Sequence, residues 1–75
     1  MNPQDIEKLI RESIEGCKVS VTTDGLGHYQ AHVVSGLFRG KSRIQRHQIV
    51  YQSLGSLVGN EIHALAIKAE TEEEI

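Results

Sequence analysis

Apolar positions change their period along the chain, and each change marks an element. Ile6, Leu9, Ile10 and Ile14 fall three and four residues apart and form one helical stripe. Asn2 supplies an N-cap, Pro3 fits the first helical position, and Asp5 sits in the positive first turn. Glu7 with Arg11, Lys8 with Glu12, and Arg11 with Glu15 are four-apart pairs of opposite charge on the wet side. Gly16 stops this first helix.

The period then shortens to two. Residues 18–23 (KVSVTT) are β-branched and alternating, which predicts a strand with Val19 and Val21 inward. Residues 24–27 (DGLG) form a turn, and 28–35 (HYQAHVVS) return as a second strand with Tyr29, Ala31 and Val33 on one face. A glycine-punctuated connection, 36–42, leads to a second helix over roughly 42–58, whose stripe is His47, Val50, Tyr51, Leu54 and Val58. Ser42 is its cap, Gly55 its weak point, and Gly59 with Asn60 its end. Residues 62–69 (IHALAIKA) read as a third strand, with Ile62, Ala64 and Ala66 on one face and His63, Leu65 and Ile67 on the other. Thr71 and Glu74 have capping-box spacing for a short last helix. The order αββαβα predicts one α+β domain over residues 1–75, a three-stranded sheet covered by helices on one side. The helical crossover allows the third strand to pair in parallel.

Composition narrows the function more than the fold. A 75-residue chain has little room for a deep pocket beside its core, so a binding surface is expected rather than an enzyme active site. The net charge of −2 hides an asymmetry, because no acidic residue lies between Asp24 and Glu61. Arg39, Lys41, Arg43 and Arg46 fall within that gap, and acids gather at 70–74. One positive face is expected. Cys17, the single cysteine, makes an internal disulfide impossible and a reducing, cytoplasmic setting the default. No apolar run reaches the roughly 20 residues of a membrane span, and the acidic, helix-like start does not resemble a signal peptide.

Candidate chemistry rests on a few side chains. His28 opens the second strand and His63 lies near the start of the third, both where an imidazole reaches solvent and could ligate a metal. Two histidines do not close a tetrahedral site, which wants four ligands, but a half-site completed by a second protein would fit. No C-x2-C or H-x3-H spacing is present, so on pattern alone these are ordinary strand residues. His47 reads as a buried, hydrogen-bonded core histidine, and His32 is assigned nothing. Cys17 reads as a semi-buried structural thiol, its pKa lowered slightly by Lys18. The four basic residues suit phosphate or an acidic protein. The segment RGKS lacks a full phosphate-binding loop, no two glycines stand in G-x-x-G spacing, and one phenylalanine with two tyrosines is too few for a base-stacking platform.

Residues 38–51 (FRGKSRIQRHQIVY), followed by 62–69 and preceded by the His28-Tyr29 pair, closely resemble the signature of BolA-like proteins, in particular their short bacterial IbaG-type branch. That resemblance covers nearly the whole chain. It implies an αββααβα fold of class II KH-like topology without the G-x-x-G loop, with one more helical turn than the periodicity predicts. It also implies a partner, a monothiol glutaredoxin, with which a [2Fe–2S] cluster is shared. The glutaredoxin cysteine and a glutathione thiol ligate one side, and a strand-three histidine, which maps onto His63, ligates the other. The family's loop ligand falls at Gly25, leaving His28 as the nearest ligand-type side chain, and TEEEI replaces the family's T-P-x-x-W. The implied role is a non-enzymatic iron–sulfur adaptor in iron homeostasis or cluster maturation, a monomer or weak homodimer when free and without a cofactor alone. The alternative implied by the family is a DNA-binding transcriptional regulator, with Arg39, Lys41, Arg43 and Arg46 on phosphates.

Overall fold

The protein is described by a computed structural model over residues 2–75. Helix α1 spans Pro3–Ser13, and the Asn2 side chain accepts a hydrogen bond from the Gln4 N–H at its start. Ile6, Ile10 and Ile14 are fully buried, as their spacing predicts. Of the expected surface ion pairs only Glu7–Arg11 forms, at 3.6 Å. Glu7 also leaves the wet face: its Oε2 accepts from the Val21 N–H at 2.9 Å. That contact covers a backbone donor on the open edge of the sheet.

Strands β1 (Lys18–Thr23) and β2 (His28–Val34) pair antiparallel, Thr23 opposite Tyr29 and Lys18 opposite Val34. Strand β3 (Ala64–Glu70) pairs parallel to β2, from His28 opposite Ala64 to Val34 opposite Glu70. The order β1-β2-β3 puts β2 in the centre, and its Tyr29, Ala31 and Val33 are buried under the helices. On the same side Val21 is buried and Leu65 and Ile67 are half-buried, whereas Ser20, Thr22, Gln30, Ala64 and Ala66 leave the opposite face open.

The crossover from β2 to β3 contains the additional turn that the family resemblance implies. Residues Gly36–Phe38 form a 3-10 turn, capped by Ser35 Oγ on the Leu37 N–H, and it drives the Phe38 ring fully into the core. Burying such a ring stabilises the fold by roughly 1.5–3 kcal/mol before ordering costs. Helix α2 then runs over Arg43–Leu54, opened by a reciprocal capping box between Ser42 and Gln45.

Three boundaries differ from the sequence reading. Helix α2 stops at Leu54 rather than near 58, because Gly55 takes φ +57° and turns the chain into a 3-10 segment, Gly55–Leu57. The third strand begins at Ala64 rather than Ile62. Ile62 is instead a fully buried anchor bridged to Val58, its N–H bonded to the Leu57 carbonyl. The last helix is one 3-10 turn, Glu72–Glu74. The buried face of α2 is also rotated. Val50 and Leu54 are buried and Ile49 is half-buried, while Tyr51 is exposed with its hydroxyl 3.5 Å from the Leu65 carbonyl. His47 consequently lies only half-buried, and its ring has no hydrogen-bond partner among the described residues, contrary to the core role expected of it.

Candidate functional site

The turn between β1 and β2 is held by hydrogen bonds that converge on Asp24 and His28. The His28 carbonyl accepts from Thr23 Oγ1 at 2.9 Å and from the Asp24 N–H at 3.3 Å. Asp24 Oδ1 accepts from the Leu26 N–H at 2.7 Å, the pattern of an Asx turn, and Oδ2 stands 2.8 Å from His28 Nδ1. The Leu26 N–H, and after it the His28 imidazole, hold the Asp24 carboxyl below the ordinary carboxylate range.

Gly27 joins this turn to the start of β3. Its carbonyl accepts from both the His63 and the Ala64 N–H, at 3.1 and 3.2 Å. Its φ of +88° suits glycine, and a Cβ there would stand 2.5 Å from His63 Cδ2. The His63 ring therefore lies against the Gly27 α-carbon. His28 pairs in register with Ala64, the residue after His63, so both imidazoles belong to one end of the sheet, and both are exposed. His63 precedes β3 rather than lying within it. Among the described residues no three His, Cys, Asp or Glu side chains form a group able to hold a metal ion.

The basic segment is built differently. Arg46 is only 13 % exposed: it donates to the Lys41 and Ala69 carbonyls, each at 3.0 Å, and to both carboxylate oxygens of Glu74 at 2.7 and 3.1 Å. Arg39 pairs with Glu73, and Lys18 with Glu72 at 3.0 Å. The acidic turn thus binds the basic segment within the same molecule. Arg46 first, and then the Thr71 N–H, push the Glu74 carboxyl down to about 2. Lys41 and Arg43 make no ion pair among the described residues and border a groove of about 550 Å³ that Ile67, Ala69, Glu70 and Glu74 also line. Of the four expected surface cations, Arg46 is therefore built into the fold, and Arg39 is paired at the exposed surface.

His32, to which sequence reasoning assigned nothing, places Nε2 2.8 Å from Glu70 Oε1, and Lys68 reaches the same oxygen at 3.8 Å. Only the parallel register brings these residues together, and neighbouring sequence carries no signal of it. Cys17 is half-buried at the junction of α1 and β1. Burial pushes its thiol up, and the opposing charge is Arg11 rather than Lys18. A raised thiol is a poor nucleophile. No helix among the described residues is long and apolar enough to cross a membrane.

These features define a small α+β domain that presents two exposed imidazoles at one end of its sheet and a partly self-neutralised basic segment. The family model for BolA-like protein matches residues 5–74, and the chain belongs to that family. It is 36% identical over 72 residues to the acid stress protein IbaG of Escherichia coli K12, covering 95% of this chain and 84% of that one. A solved bolA protein homologue from Coxiella burnetii superposes with a TM-score of 0.86 at 35% identity, covering 99% of this chain and 95% of the other. The BolA domain of SufE1 from Arabidopsis thaliana superposes with a TM-score of 0.81 at 27% identity, covering 97% and 94%. Other relatives are much longer: the match spans 15% of the Arabidopsis SufE-like protein 1 and 32% of human BolA-like protein 1.

Proposed function

We propose that this protein is a non-enzymatic adaptor that shares or passes on a [2Fe–2S] cluster with a monothiol glutaredoxin, in a reducing, cytoplasmic setting. One observation carries the reading. The Gly27 carbonyl and the parallel register bring His63 and His28 to the same exposed end of the sheet, each with a ring nitrogen that has no partner among the described residues. Two neutral imidazoles are donors suited to iron, and two are what a shared site requires from one of its proteins. Membership of the BolA-like family supports the same reading.

His63 is the principal ligand and His28 the second. When bound, the cluster supplies one-electron and cluster-transfer chemistry, and histidine ligation raises its potential relative to all-cysteine ligation. A protonated imidazole has no lone pair to offer, so acid weakens the ligation. Lys41 and Arg43, the two residues of the basic segment without an ion pair among the described residues, would attract acidic side chains of the partner toward the groove beside β3.

The test is to mix the protein with cluster-loaded monothiol glutaredoxin and glutathione and follow visible absorption and circular dichroism. A changed cluster spectrum is expected, abolished by His63→Ala and weakened by His28→Ala. An unchanged spectrum at high protein concentration overturns the reading. Salt-dependent DNA binding through Lys41 and Arg43 would then be the alternative to measure.

A further inference from the structure

His28 has two ring nitrogens, and the hairpin turn treats them differently. Nδ1 stands 2.8 Å from Asp24 Oδ2, and an ionised carboxylate only accepts hydrogen bonds. The proton of a neutral His28 ring therefore sits on Nδ1, which leaves the lone pair on Nε2. Asp24 is itself fixed, because its other oxygen accepts from the Leu26 N–H at 2.7 Å. His28 is fixed in turn by the two donors on its carbonyl, Thr23 Oγ1 and the Asp24 N–H. Among the described residues nothing hydrogen-bonds to Nε2. Metal-binding histidines commonly have this arrangement, in which one nitrogen donates to a carboxylate and the other ligates.

We infer that Asp24 is a positioning residue that holds His28 as the Nδ1–H tautomer and so makes Nε2 a preorganised ligand for a transition-metal ion. The metal's identity as cluster iron rests on the function proposed above; the tautomer does not. The inference also explains how His28 can serve although Gly25 stands where the family's loop ligand would be. The turn supplies an orienting carboxylate at one end and, at Gly27, the space that admits the His63 ring.

Asp24→Asn tests this without removing the turn. Asparagine Oδ1 still accepts from the Leu26 N–H, but its amide N–H2 replaces the oxygen that faced Nδ1. A donor there stabilises the opposite tautomer, with the proton on Nε2 and the ligating lone pair blocked. Long-range 1H–15N correlation of the imidazole rings is recorded at about pH 8.5, well above the ordinary histidine range of about 6.5. His28 is expected as Nδ1–H in the parent and shifted toward Nε2–H in Asp24→Asn, with the Leu26 amide reporting an intact turn. Cobalt(II) alone, titrated into each protein and followed by visible absorption, should bind the variant about 10–100-fold more weakly. An Nε2–H tautomer in the parent, an unchanged tautomer in the variant, or a parent that takes up no cobalt or no more than the variant overturns the inference. All of these measurements use the protein without glutaredoxin. An Nδ1–H tautomer in the parent that shifts in Asp24→Asn, with the expected loss of cobalt affinity, together with an unchanged glutaredoxin spectrum would therefore reject the shared cluster and leave the role of Asp24 standing.

Discussion

At the hairpin end of the sheet, hydrogen bonds are concentrated on the backbone and on Asp24, leaving the His63 ring and His28 Nε2 uncommitted. Along residues 39–46, the bonds instead consume side chains: Arg46 is tied to two carbonyls and a carboxylate, and Arg39 to Glu73. Four clustered basic residues look like a stronger binding signal than two scattered histidines. The structure narrows that difference, because Arg46 and Arg39 are already paired within the molecule while Lys41 and Arg43 are not, and a side chain available to a partner is one the fold has not already used. Charge counted along a sequence overstates a surface whenever opposite charge returns to it from a distant segment.

The sharpest way to break this contrast is at Gly27. Alanine there meets two penalties, the positive φ and a Cβ 2.5 Å from His63 Cδ2, whereas alanine at Gly25 meets only a φ of +82° with open space around it. Gly25→Ala should cost about 1–2 kcal/mol in urea unfolding, the usual penalty of left-handed backbone. Gly27→Ala should cost more, up to about 3 kcal/mol, and should also move the His63 ring resonances and abolish the cluster signal. Equal behaviour of the two variants would mean that the His63 ring does not depend on Gly27.

A second comparison separates the two kinds of cation. Lys41→Ala combined with Arg43→Ala should change stability by no more than about 0.5 kcal/mol per site, as surface substitutions do, yet weaken binding to the proposed glutaredoxin partner and its salt dependence. Arg46→Ala should do the reverse. It leaves the Glu74 carboxylate without its guanidinium and uncovers the Ala69 carbonyl on the edge of β3, so the urea midpoint falls. An Arg46→Ala protein with parental stability and lost binding would return Arg46 to the docking surface.

Local chemistry made much of the fold legible. Asn2 with Pro3, Ser42 with Gln45, the Ile6–Ile10–Ile14 stripe and the residue 24–27 turn each act within a few neighbours, and each appears as expected. The misread positions depend on contacts between distant segments. Ile62 has strand chemistry but is pinned to Leu57 and Val58 as a core anchor. Glu7 has the spacing of a surface ion pair, yet it also covers the β1 edge at Val21. His32 meets Glu70 only because β2 and β3 run parallel in that register. The candidate site divides in the same way. His28 and His63 can be named from their motif, whereas their shared position follows from the Gly27 carbonyl, which no periodicity reveals.

The smallest effect is a pH dependence that tests the Arg46 clamp without touching either histidine. The folded Glu74 carboxyl is pushed down to about 2 from an ordinary 4.5, first by Arg46 and then by the Thr71 N–H. The unfolded chain therefore takes up this proton before the folded chain does. The contribution of Glu74 to stability is fully present above about pH 4.5 and is lost as pH falls through the interval down to about 2. Asp24 and Glu73, both held below their ordinary values, change in the same direction. Urea unfolding at a series of pH values should show stability declining across that interval, with a shallower slope in Glu74→Gln. Arg46→Ala should flatten the slope as well, because removing the guanidinium returns Glu74 toward its ordinary range. If neither substitution makes the slope shallower, the acidic turn is not clamped to the basic segment in solution, and Arg46 would then be as open to a partner as Lys41 and Arg43.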